Sequence, residues 1–128
     1  MNLSDYVAEL HRLLQSHPLI AWYDLDAQSR GERFLFLRGK VEFLRHTILD
    51  FKEFVECHPG RIERFKYAYN CRQGNRVLFR YDNAADPRAK HLPTYPAHKH
   101  EGDEIRPSPP TDLPSVVKEI VWLMGDSL

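Results

Sequence analysis

The sequence predicts one small α+β domain, residues 1–128, in which an antiparallel five-stranded meander sheet is flanked by an N-terminal and a C-terminal helix. Apolar residues recur at helical spacing near both ends of the chain, and alternating, aromatic-rich runs fill the middle. The turns between those runs are only a few residues long, which makes successive strands antiparallel neighbours. With 42% apolar and 28% charged residues the composition is that of a globular chain able to bury its own core without staples.

Leu3, Tyr6, Val7, Leu10, Leu13 and Leu14 share one helical face, predicting a helix over residues 4–16 with Ser4 as N-cap; His17-Pro18 stops it. The run Leu19-Ile20-Ala21-Trp22-Tyr23 opens a first strand over residues 19–27, and Gln28-Ser29-Arg30-Gly31 is a turn signal. A second strand covers residues 33–44, with Gly39 marking a bulge or the close approach of another backbone. A tight connection at Leu44-Arg45-His46 leads to a third strand, residues 47–56. His58-Pro59-Gly60 turns the chain into a fourth, residues 61–70. Arg72-Gln73-Gly74-Asn75 turns it into a fifth, residues 76–82. Pro87, Pro93, Pro96, Pro107, Pro109 and Pro110 exclude regular structure from residues 83–110, and a loop of that length in a compact domain is functional or disordered. Asp112 as N-cap and Pro114 in the first turn start the last helix. Val116, Val117, Ile120 and Leu123 form its apolar face, and Gly125 ends it.

No run approaches the roughly 20 apolar residues that span a bilayer. Residues 1–5 lack the basic start and apolar run of a signal peptide, so the cytoplasm is the expected location. Cys57 and Cys71 fall at opposite ends of one strand, too far apart to pair, and are expected as free thiols. Net charge is zero but uneven. Residues 61–80 carry six basic side chains (Arg61, Arg64, Lys66, Arg72, Arg76, Arg80) and one acid, whereas residues 101–128 carry six acids and two bases. Such asymmetry points to a local phosphate-seeking face or, more simply, to a solvated sheet face.

Strand alternation places Glu53 among Leu49, Phe51 and Val55, where an unpartnered carboxylate would cost several kcal/mol. Arg80 or a tyrosine hydroxyl is its expected partner, either in a site or in a pair that only sets strand register. The densest constellation is Arg80-Tyr81-Asp82-Asn83 followed by His91 and His98-Lys99-His100. In an extended segment His98 and His100 point the same way. They read as general acid and base, with Arg80 and Lys99 stabilising negative charge on a phosphate. Alternatively they chelate a metal with His91, Asp82 or Glu53, or they only hydrogen-bond. Metal-independent RNA cleavage needs a base, an acid, cations and a stacking surface. Arg80, His98, His100, Tyr67, Tyr69 and Tyr81 supply those residue types.

Phe36-Leu37-Arg38-Gly39-Lys40-Val41-Glu42-Phe43-Leu44, Leu49-Asp50-Phe51-Lys52-Glu53-Phe54-Val55, Tyr67-Ala68-Tyr69, Phe79-Arg80-Tyr81-Asp82-Asn83-Ala84 and Leu92-Pro93-Thr94-Tyr95-Pro96-Ala97-His98-Lys99-His100 together resemble the TumE family of toxin–antitoxin proteins over about residues 32–121. The resemblance implies a bacterial or archaeal toxin of a type II system, encoded beside its antitoxin. Two departures stand out. The family's Pro-His-His after Asn83-Ala84 is replaced by Ala85-Asp86-Pro87-Arg88-Ala89-Lys90-His91, and the glycine expected near Arg45-His46 is absent. Helix-plus-meander order is also similar to RelE-like and barnase-like ribonucleases, by analogy of fold only.

The expected function is therefore a toxin that cleaves RNA without a cofactor. Glu53, Arg80, Asp82, His98 and His100 are the expected catalytic group, and Tyr67, Tyr69, Tyr81, Lys99 and Arg76 the substrate-binding group. The alternative is a non-catalytic nucleic-acid or protein-binding module, or a nuclease whose metal is held by His91, His98 and His100. Expected partners are a cognate antitoxin, RNA and, through an edge strand, a second copy of the chain; no membrane is expected.

Overall fold

The computed structural model describes residues 1–125. Helix α1 (Leu3–Ser16) is followed by strands β1 (Ile20–Arg30), β2 (Phe34–Phe43), β3 (Thr47–His58), β4 (Arg61–Gln73), β5 (Arg76–Asp82), β6 (His98–Glu101) and β7 (Glu104–Pro107), and by helix α2 (Leu113–Gly125). The strands form one antiparallel sheet in chain order, β1 to β7. Among the described residues no helix is long and apolar enough to cross a membrane.

The first five strands and both helices stand where periodicity predicts them, within a few residues at each end. The strand count does not: the sheet has seven strands rather than five. Residues 98–107, expected to be irregular, form the β6–β7 hairpin. The prolines do not prevent it, because Pro96 precedes β6 and Pro107 ends β7. β7 is the edge of the sheet, where a missing N–H breaks no ladder. Helix α1 is capped by Asn2, not Ser4. The Asn2 side chain accepts from the Asp5 N–H at 2.8 Å and the Asp5 carboxylate accepts from the Asn2 N–H at 3.1 Å, satisfying two donors at once. Asp112 caps α2 as expected, accepting from the Ser115 N–H at 2.9 Å.

The strands β1 to β5 present one apolar face of the sheet, and both helices cover it. Tyr6, Leu10 and Leu14 of α1 and Leu113, Val116, Val117 and Ile120 of α2 join one core with Leu37, Val41, Leu49, Val55, Tyr69 and Phe79 of the sheet. The opposite face, expected to be flanked by a helix, carries none among the described residues. Cys57 and Cys71 are free thiols at opposite ends of the β3–β4 pair, opposite Ile62 and Leu49.

Arg45 and His46 take left-handed conformations (φ 66° and 62°) in the connection between β2 and β3. The three-residue connection Leu44–His46 reverses the chain through these two left-handed residues, a conformation that a glycine would adopt without steric cost. Gly39 serves a close approach. A Cβ there would lie 2.6 Å from the Asp24 carbonyl oxygen and 2.7 Å from the Phe51 ring. The carbonyl belongs to the paired strand and cannot rotate away, so Gly39→Ala should cost about 2 kcal/mol. Chemical denaturation should show a lower midpoint at unchanged slope; an unaltered midpoint would contradict the packing.

Candidate active site on the open sheet face

Antiparallel pairing aligns the outward residues of the open face into rows across the sheet. One row runs Asp26, Arg38, Lys52, Ala68, Asp82, His98. The next runs Asp24, Lys40, Asp50, Asn70, Arg80, His100. A third runs Gln28, Phe36, Phe54, Lys66. Asp24, Arg38, Lys40, Lys52 and Arg80 line a shallow cleft of about 580 Å³. A smaller hollow of about 220 Å³ is lined by Lys52, Phe54, Lys66, Arg80 and Asp82. Lys52, Ala68 and Arg80 belong to both, so the two are continuous. Arg72 neutralises Asp50 at 2.6 Å, whereas Arg38, Lys40, Lys52 and Lys66 make no ion pair among the described residues.

At the β5–β6 end the rows converge on a polar cluster. The i, i+2 spacing of Arg80/Asp82 and of His98/His100 puts each pair on the open face, and the ladder sets Asp82 against His98 and Arg80 against His100. Asp82 is held by two donors, the Ala84 N–H on Oδ1 and the Arg80 Nε–H on Oδ2, both at 3.0 Å. The side chain of His98 is fully buried. Its Nδ1 lies 2.7 Å from the Pro96 carbonyl oxygen. A carbonyl only accepts, so Nδ1 carries the proton. Nε2 then faces Asp82 Oδ1 at 3.2 Å and His100 Nε2 at 3.0 Å. Burial, and then the neighbouring His98, pull the His100 pKa below its ordinary value. Asp82, His98 and His100 also bring ligand-type atoms within 4.8 Å of one another, as Glu56, His58 and Glu63 do on the rim of the sheet.

A family model described as Toxin TumE matches residues 10–124, which hold all seven strands and the whole of this cluster. The chain belongs to the Toxin TumE family. Neither a curated protein nor a solved structure matches it, so the analogy with RelE-like and barnase-like proteins rests on the sequence pattern alone.

In this TumE-family chain, Arg80, Asp82, His98 and His100 come together; the other predicted residues do not join them. Glu53 is fully buried on the covered face, where it accepts hydrogen bonds from Tyr6 and, at 2.6 Å, from Tyr69. Its partners are tyrosine hydroxyls, not Arg80. Tyr67 and Tyr69 are buried and stack on each other with ring centres 5.4 Å apart, leaving no face for a base. Tyr81 donates to Glu119 at 2.5 Å on the same side. Lys99 lies between the two histidines in sequence and therefore points to the other face, where it binds Glu119 at 3.0 Å above the rings of Phe79 and Tyr81. Arg76 is exposed beside the β4–β5 turn and His91 is exposed in the loop before β6, so the third member of the histidine cluster is Asp82.

The aromatic rings on the open face are phenylalanines. Phe36 and Phe54 stack at 4.6 Å and Phe54 meets Phe65 at 5.9 Å. Phe54 and Phe65 are well exposed. Alternation carried the signal for the first two, since Phe36 and Phe54 each sit out of phase with the core residues of their strands. Phe65 could not be read that way, because the β3–β4 register shifts next to it, between Phe54 and Val55.

Proposed function

We propose that this TumE-family toxin acts on RNA, binding single-stranded substrate along the open sheet face and cleaving it at the Asp82–His98–His100 cluster. The observation that carries the reading is the continuity of three features on one uncovered surface: exposed aromatic rings, cations without acidic partners, and a buried Asp/His cluster. Rings stack bases whatever the sequence, and cations follow the backbone. Arg80 contacts Asp82 through Nε alone, which leaves its terminal N–H groups for a phosphate. The most direct test incubates purified protein with labelled single-stranded RNA. Cleavage by wild type and not by Arg80→Ala supports the reading; binding without cleavage would favour a binding module, and neither would remove RNA as the substrate.

Lys52→Ala with Lys66→Ala should weaken RNA binding about equally for all sequences. Loss of two phosphate contacts should flatten the salt dependence of log K by about 1.4. A slope unchanged in a filter-binding series would place the RNA elsewhere.

A toxin of this family implies an antitoxin, and the face that must be blocked to silence it is the open one. The long β1 edge offers a strand-pairing site to that antitoxin or to a second copy of the chain. The cytoplasm is where such a substrate is met.

A further inference from the structure

We infer that Asp82, His98 and His100 form a binding site for one divalent transition-metal ion of the zinc class. This deepens the RNA-cleavage reading by naming what the cluster holds, and it stands on the geometry of three atoms. The His98 Nδ1 proton is committed to the Pro96 carbonyl, so Nε2 is the ring atom left to face Asp82 Oδ1, 3.2 Å away, and His100 Nε2, 3.0 Å away. A proton on His100 Nε2 would serve the contact between the two rings, but the Asp82 Oδ1 and His98 Nε2 lone pairs would still oppose each other at 3.2 Å unless a positive centre lay between them. A proton on His98 Nε2 would be one such centre. Such a proton bonds one neighbour well rather than two.

A metal ion satisfies all three ligands. Zinc binds nitrogen and carboxylate oxygen at about 2.0–2.2 Å, which sets the ligand–ligand edges of a tetrahedron at roughly 3.3–3.6 Å. The separations here bracket that edge: 3.0 Å between the two imidazole nitrogens, 3.2 Å from His98 to Asp82 Oδ1 and 3.7 Å from His100 to Oδ2, the other oxygen of the same carboxylate. The surroundings fit too. A metal-binding histidine characteristically donates its other ring N–H to a carbonyl or carboxylate, as His98 does, and a ligating carboxylate is itself hydrogen-bonded, as Asp82 is by Ala84 and Arg80. Three protein ligands leave a fourth position, and Asp82 lines the hollow beside Phe54 and Lys66 through which a phosphate oxygen or a water would reach it.

The test uses the full-length protein treated with EDTA and dialysed, then titrated with Zn²⁺ by calorimetry and with Co²⁺ by visible absorption. One ion per chain is expected, with the intense absorption of a four-coordinate cobalt site. His100→Ala, at a half-buried position that should leave the fold intact, should weaken binding by at least about 100-fold. His58→Ala, which dismantles the other histidine–carboxylate group, should leave binding unchanged. Absence of ion binding, or binding lost in His58→Ala and retained in His100→Ala, would overturn the site. Its failure and that of the RNA reading are separable. RNA cleavage that survives EDTA with no ion bound removes the metal and keeps the ribonuclease; a bound ion with no RNA cleavage does the reverse.

Discussion

RNA cleavage by the His98→Ala protein is expected to fall by about 100-fold or more, the scale set by a positioned acid–base group and equally by loss of a ligand to a catalytic metal, and toxicity on expression to disappear with it. The ring cannot be replaced by a neighbour. Its Nδ1 is anchored to Pro96, its Nε2 is the atom both Asp82 and His100 face, and no other side chain among the described residues fills that point. Because His98 is buried, part of the loss could come from folding, so Arg80→Ala is the necessary companion. That side chain is about 39% exposed, and its removal should leave the melting temperature nearly unaltered while releasing Asp82 and depriving the phosphate of a cation. Full toxicity in both variants would remove the cluster from the mechanism, whether or not a metal occupies it.

The largest stability effect is expected at Glu53. Alanine there strands the hydroxyls of Tyr6 and Tyr69 in the core and removes the carboxyl group that interacts with Arg64, whose Nε already lacks a hydrogen-bond partner. The cost should be about 3 kcal/mol, or a melting temperature lower by about 10 °C in a domain of this size. The pH dependence has a definite sign. Burial pushes the Glu53 pKa up, against the opposing pull of the tyrosine hydroxyls and of Arg64. A folded-state pKa above the unfolded one means that Glu53 favours the fold most below the ordinary carboxylate range, and that this contribution fades as pH rises through the raised value. Glu53→Gln keeps the acceptor oxygen without the charge, so its stability should lack that decline and its RNA cleavage should survive. Equal pH slopes for Glu53→Gln and wild type would contradict the assignment, and loss of cleavage in Glu53→Gln would restore Glu53 to the chemistry.

Much of the fold could be read from residue order because it is local. Period-two alternation and short turns, three of them with glycine, make β1 to β5 a meander whatever lies above or below it, and an amphipathic face with a terminal cap specifies each helix. The missed hairpin is instructive. Six prolines argued against strands, but a proline excludes a strand only where its absent N–H would have been needed, and that depends on which strand lies at the edge. In the site, the same alternation that paired His98 with His100, and Arg80 with Asp82, also required Lys99 and Tyr81 to face away, a consequence that could have been drawn from sequence. The tyrosines Tyr67 and Tyr69 attracted attention as stacking groups for their chemistry, when their phase already put them with the core.

Residue order thus settles which side chains share a face of each strand, since backbone geometry imposes a two-residue period on any strand. It also settles family membership, through the runs from Phe36 to His100. It could not settle which of the two faces the helices cover, because α1 and α2 lie far from the central strands in sequence and choose their face by burying apolar area. Nor could it show that Asp82 and His98, sixteen positions apart, stand opposite each other. That contact exists because β6 closes onto β5 across a loop whose path is set by packing, and on it depends whether two histidines and an aspartate are three polar residues or one site.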